Sequence, residues 1–227
     1  MATFESIKFE NFERELKYLV LQNCEVTVDS LISFFTENEY RIVKKFTKEK
    51  HEIYYDDSSY SLTLSGDVMR GSNYVSEQAI GLMYKRNVSD INKPYVSKVE
   101  MGSTTYKDLN SFSDAFNLDL DSALKPMMTA QMIREVMLIE KASDMLYVSF
   151  DKVFYALYGS EKQKYYEEML EIEDWKNPNT LHVDYSYDKH LITVNELVQH
   201  SSLPLTLTKD TKPYRGYVIL KEKGEIK

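Results

Sequence analysis

Two short strings of alternating charge, one near each end of the chain, hold the residues best suited to chemistry. In Phe12-Glu13-Arg14-Glu15-Leu16-Lys17-Tyr18, the side chains of Glu13, Glu15 and Lys17 share one face if the segment is a β-strand, because residues two apart in a strand point the same way. Met169-Leu170-Glu171-Ile172-Glu173 places two more carboxylates between apolar residues. Facing water, both would be ordinary half-polar strands of an antiparallel sheet. Facing inward, the acids need compensation, which a divalent metal together with a phosphate would supply.

The elements that must position these strings are mostly strands. Alternation runs from Phe12 to Leu21, and Thr27 to Asn38 has the apolar spacing of an amphipathic helix. Tyr40 to Phe46, Glu52 to Asp56, Ser61 to Leu64, Val68 to Val75, Ile80 to Val88 and Tyr95 to Met101 are β-branched and aromatic enough for strands. Short helical turns are expected over Thr105 to Phe116. Met132 to Glu140, Met145 to Tyr158 and Lys164 to Asp174 read as further strands. Asn177-Pro178-Asn179 breaks the chain, and Leu191, Val194, Leu197 and Val198 have helical spacing. Many antiparallel strands with few helices, some carrying charge on one face, favour a mainly antiparallel closed β-barrel with a polar lumen and flanking helices.

The 227 residues fit one domain, and Gly and Pro are too few and scattered to mark a linker. A net charge of −8 argues against a broad nucleic-acid surface, although a concave site can still gather Lys and Arg. The one cysteine, Cys24, can form no internal disulfide or thiolate metal site, and its neighbours suggest a buried or half-buried structural thiol. Neither a signal peptide nor a membrane span is recognisable, so a cytoplasmic protein is expected. No H-x-x-x-H pair, P-loop or G-x-G-x-x-G occurs, leaving zinc chemistry and nucleotide-cradling loops without support. Tyr is abundant, which barrel exterior and helix packing explain, and Trp175 should anchor the end of the acidic strand.

Taken in order, several strings resemble the CYTH, or triphosphate tunnel metalloenzyme, superfamily. Glu13-Arg14-Glu15-Leu16-Lys17-Tyr18 is similar to its opening strand, above all in the VTC-type polyphosphate polymerase branch, and Tyr54-Tyr55-Asp56-Asp57 resembles its Y-[YF]-D-[TS] string. Gly66 to Arg70, Lys85-Arg86, Leu124-Lys125-Pro126 followed by Arg134, and Val148 to Asp151 also resemble family segments. So do Glu171-Ile172-Glu173 and the tail Thr211-Lys212-Pro213-Tyr214-Arg215-Gly216. The chain departs from the pattern at Arg70-Gly71-Ser72, where R-x-R is common, and at Glu100, which lacks a following E-x-K lysine although Lys98 precedes it.

The resemblance implies a triphosphate tunnel in which Lys17, Arg70, Lys85, Lys98, Arg134 and Lys212 clamp phosphates. It further implies that Glu13, Glu15, Glu171 and Glu173 bind Mg²⁺ or Mn²⁺, with Glu100 and Asp151 in supporting places. Lys17, Glu171 and Glu173 would be the catalytic residues. Phosphoryl transfer asks mainly for positioning and charge neutralisation. The implied activity is polyphosphate synthesis from ATP, with hydrolysis of inorganic triphosphate, an organic triphosphate or an RNA 5′ end as the alternative. A non-catalytic module binding polyphosphate or nucleotide is the third. On this reading, Lys17→Ala and Lys212→Ala each cost about one to two decades in catalytic efficiency and little stability.

Overall fold

A computed structural model describes residues 8–74, 81–103, 108–120, 123–142, 144–160, 164–174 and 187–226. The strands are β1 (Lys8–Val20), β2 (Arg41–Asp56), β3 (Val68–Tyr74), β4 (Gly81–Asn87), β5 (Val96–Ser103), β6 (Lys125–Lys141), β7 (Asp144–Leu157), β8 (Tyr165–Asp174) and β9 (Leu205–Thr208). Eight run antiparallel in the order β5-β4-β3-β2-β6-β7-β8-β1, and β1 pairs back onto β5 to close a barrel. The ninth strand continues one edge of β1: β5 holds Lys8 to Glu15, and β9 holds Lys17 to Val20.

Among the described residues, five helices flank the barrel: α1 (Val28–Glu37), α2 (Ser61–Ser65), α3 (Leu109–Phe116), α4 (Tyr187–Gln199) and α5 (Lys212–Glu222). A reciprocal capping box between Thr27 and Ser30 starts α1, which buries Leu31, Phe34 and Phe35. Those side chains and Leu191, Val194 and Val198 of α4 pack on Leu16, Tyr18, Val148, Phe150, Leu170 and Ile172. The apolar members of the alternating strands therefore point outward under helices, and alternation turns their charged neighbours into the lumen. Phe112 and Phe116 of α3 do the same over Met69, Leu82, Tyr84 and Met101.

A third core lies inside one end of the barrel. Met128, Ala130 and Met132 share the strand face of Arg134, and Val153 and Tyr155 that of Asp151; with Tyr54 and Val68 they are covered by Leu220 of α5 and by Ile226. That end of the lumen is stoppered by α5. The close approach depends on Gly216, where an added Cβ would lie 2.7 Å from the Tyr155 ring. Gly216→Ala should gain roughly 1 kcal/mol of helix propensity. Overpacking against a fully buried tyrosine costs about 1–3 kcal/mol, so a net loss is expected. A urea midpoint equal to or above wild type would show that α5 is not pressed against Tyr155.

Several expectations change. Ser61 to Leu64 forms α2 rather than a strand, because the Asp56 carboxylate accepts the amides of Leu62 (3.1 Å) and Thr63 (2.9 Å), and Asp57 accepts that of Ser61 (3.2 Å). Tyr40 to Phe46 and Glu52 to Asp56 belong to one 16-residue strand, β2. The join is hidden in sequence because Thr47 to His51 is polar on both faces. Cys24 is exposed, in the turn between β1 and α1. Tyr54 and Tyr155 lie inside the barrel rather than on its exterior. Trp175, Asn177 to Asn179, and Thr105 to Lys107 fall outside the described residues. Among the described residues, no helix is long and apolar enough to cross a membrane.

Candidate active site in the barrel lumen

The lumen encloses a cavity of about 260 Å³ lined by side chains from β1 to β8 and the start of α5. All the phosphate-clamp and metal candidates named from the sequence line it: Glu13, Glu15, Lys17, Arg70, Lys85, Lys98, Arg134, Glu171, Glu173 and Lys212, with Glu100 among them. Strand register explains the convergence. Glu13 stands opposite Lys98, Glu15 opposite Glu173, Lys17 opposite Glu171, and Arg134 opposite Asp151.

Three charge groups divide the site. The first is centred on Glu171, whose carboxylate takes Lys17 Nζ at 2.5 Å, Arg134 Nη2 at 2.9 Å, and Lys212. Asp151 completes it, accepting Arg134 Nε at 2.7 Å and Nη2 at 2.6 Å, with Lys212 Nζ at 3.0 Å. Lys212 reaches this depth because it opens α5, which Thr211 caps. Burial alone would raise Glu171, but Lys17, Lys212 and Arg134 outweigh it and hold the carboxyl well below its usual range. Removing Lys17 or Lys212 therefore disturbs a buried ion network, so the small stability effect anticipated from sequence is replaced by a measurable loss.

The second group is acidic. Carboxylate oxygens of Glu13, Glu15 and Glu173 lie within 4.8 Å of one another. Glu15 is steadied by Lys17 (2.8 Å) and Lys98 (3.1 Å), and Glu13 by Lys85 (2.7 Å), which also pairs with Glu100. No cation pairs with Glu173 among the described residues. Burial, followed by the charges of Glu13 and Glu15, pushes Glu173 up to about 8. Burial and Glu15 also raise Glu13, against the pull of Lys85. Three converging oxygens with an uncompensated member fit a hard divalent cation. Glu171, grouped with these acids from sequence, is instead engaged by three cations.

The third group joins Arg70, expected from the sequence, to Lys50 and Glu52, which were not. Glu52 of β2 accepts Lys50 Nζ at 2.6 Å, Arg70 Nη1 at 2.6 Å and the Tyr54 hydroxyl. Its only sequence signal is the two-residue spacing of Lys50, Glu52 and Tyr54, within a run that lacks apolar alternation.

No family model and no curated protein matches this chain. Solved structures share its barrel. The PH1819 protein of Pyrococcus horikoshii has 15% identity over 92% of this chain and 99% of that one, with a TM-score of 0.52. A candidate adenylate cyclase of Bacillus halodurans has 13% identity over 91% and 97%, at 0.53. A Hippeastrum protein described as a candidate adenylyl cyclase with dominant triphosphatase activity has 14% identity over 93% and 96%, at 0.49. The first two likenesses show the fold that the triphosphate tunnel resemblance implies.

Proposed function

We propose that the lumen cleaves a terminal phosphoanhydride of a triphosphate-bearing small molecule, with water as acceptor and Mg²⁺ or Mn²⁺ as cofactor. The observation that carries this reading is the pairing, within one lumen cavity, of an under-compensated carboxylate trio with cations from seven elements. Glu13, Glu15 and Glu173 would hold the metal, which when bound supplies positive charge to polarise phosphoryl oxygens. Lys17, Lys85, Lys98 and Lys212 offer point charges to the phosphates, and Arg70 offers a fork. Arg134 is held on two sides by Asp151 and contacts Glu171, so it braces the clamp. Glu171 acts by positioning, keeping Lys17, Arg134 and Lys212 together.

Water is favoured over a phosphate chain as acceptor by the stopper at α5. In-line transfer puts acceptor and leaving group on opposite sides of phosphorus. In a lumen closed at one end, the leaving group takes the open side and the remaining space suits water. The protein with inorganic triphosphate or ATP and Mg²⁺ or Mn²⁺ should release free phosphate and form no long-chain polyphosphate. Polymer formation would support the polymerase branch; neither product would turn the reading to a binding module.

A further inference from the structure

Of the buried group on β2 and β3, only Arg70 has a part in the chemistry above, yet Lys50 and Tyr54 border the same cavity. Lys50 and Arg70 both line that space, with side chains only 7% and 14% exposed. They converge on one oxygen of Glu52, and the other oxygen of that carboxylate is taken by Tyr54. Across the strand pair from Glu52 stands Ser72, a neutral residue whose hydroxyl is 3.5 Å from the same carboxylate.

Arg70 is the telling member. Its Nη1 meets Glu52, its Nη2 donates to the thioether of Met83 at 3.1 Å, and its buried Nε has no hydrogen-bond partner among the described residues. A thioether is a weak acceptor, and a buried guanidinium with unsatisfied donors is costly unless a ligand completes it. An anion in the cavity would do so. Arg134, by contrast, has its Nε and Nη2 engaged by two carboxylates.

We propose that Lys50 is a substrate-binding residue that, together with Arg70, clasps a phosphate of the substrate from the β2–β3 wall, with Glu52 holding both cations in place. The proposal rests on the lumen being a triphosphate site, and it adds a ligand contact from β2, a strand that the clamp described so far does not use. Charge supports it. Burial and then Arg70 push the Lys50 ammonium down to about 7 against the attraction of Glu52, and Arg134 adds to the repulsion. Among the described residues, the charged groups acting on Lys50 include Glu52, Arg70 and Arg134, with Tyr54 hydrogen-bonded behind Glu52. A phosphate arriving there would favour the protonated ammonium, so binding would draw a proton onto Lys50.

The test is calorimetric titration of the full chain with inorganic triphosphate, in chelator and again with Ca²⁺, for wild type, Lys50→Met, Lys50→Arg and the outward-facing Lys152→Ala. Lys50→Met should weaken binding about tenfold or more, and Lys50→Arg should restore most of it. Wild-type affinity should fall from pH 6 to pH 8.5 more steeply than that of Lys50→Arg, because guanidinium stays charged. A purely structural lysine would not produce that difference, and melting curves check that each variant is folded. Wild-type affinity in Lys50→Met, or equal pH slopes in wild type and Lys50→Arg, would overturn the assignment while leaving the triphosphate site standing. Failure of wild type to bind triphosphate under either condition would overturn both.

Discussion

Glu171→Ala should lower folding stability by about 3–5 kcal/mol and eliminate turnover, because it removes one partner of a buried ion network. Glu171 lies on β8 between Leu170 and Ile172, which are buried beneath the helices, so its position is fixed by the same alternation that builds the outer core. Its carboxylate takes Lys17, Arg134 and Lys212. Without it, Lys17 keeps Glu15, while Arg134 and Lys212 are left to share Asp151. Three buried cations would then repel one another in the place where phosphates should bind. Glu171→Gln keeps the shape and some acceptor capacity, so it should fall between wild type and Ala in stability and still fail in catalysis. Urea denaturation and phosphate release measured on both variants check this. A Glu171→Ala protein as stable as wild type would mean that the network contributes nothing to the fold. The pH dependence has the same origin: Glu171, Glu15 and Glu52 are held below their unfolded range by lysine and arginine partners, against burial. Their contribution is complete above the unfolded carboxylate range, near 4.5, and is lost as pH falls through the depressed values.

The part of this architecture legible in the sequence is the part where opposite faces of a strand differ in polarity. Glu13, Glu15, Lys17, Glu171 and Glu173 stand out because Leu16, Tyr18, Leu170 and Ile172 alternate with them, and the register of β1 against β8 then brings the two ends of the chain together. Lys50 and Glu52 were hidden for the opposite reason: β2 projects polar residues from both faces at that point, so no apolar rhythm marks its inward side. Helix α2 was concealed because the carboxylates that hold its first amides, Asp56 and Asp57, lie several residues upstream of them. The stopper was harder still. Tyr217-Val218-Ile219-Leu220 has strand-like composition, and only the Thr211 cap, Pro213 at the first turn and Gly216 against Tyr155 make it a helix across the barrel end.

Removal of divalent metal should abolish turnover and leave the barrel folded, but with an altered dependence of stability on pH. Glu173 is raised from 4.5 to about 8, first by burial and then by Glu13 and Glu15. A carboxyl whose folded pKa lies above its unfolded value contributes stability that is complete below about 4.5 and lost as pH rises towards 8. In chelator, the melting temperature of wild type should therefore fall relative to Glu173→Gln between pH 5 and pH 7. That window excludes most of the opposing contribution of Lys50, whose depressed value of about 7 stabilises the fold only at higher pH. A cation bound among Glu13, Glu15 and Glu173 would favour the ionised carboxylate, so Mn²⁺ should raise the wild-type melting temperature, increasingly so as pH rises, and release a proton on binding. Glu173→Gln should lose most of that response. Thermal scans at three pH values, with chelator or Mn²⁺, carry the comparison. Equal Mn²⁺ responses in the two proteins would remove Glu173 from the metal site, and undiminished turnover in excess chelator would remove the metal from the mechanism.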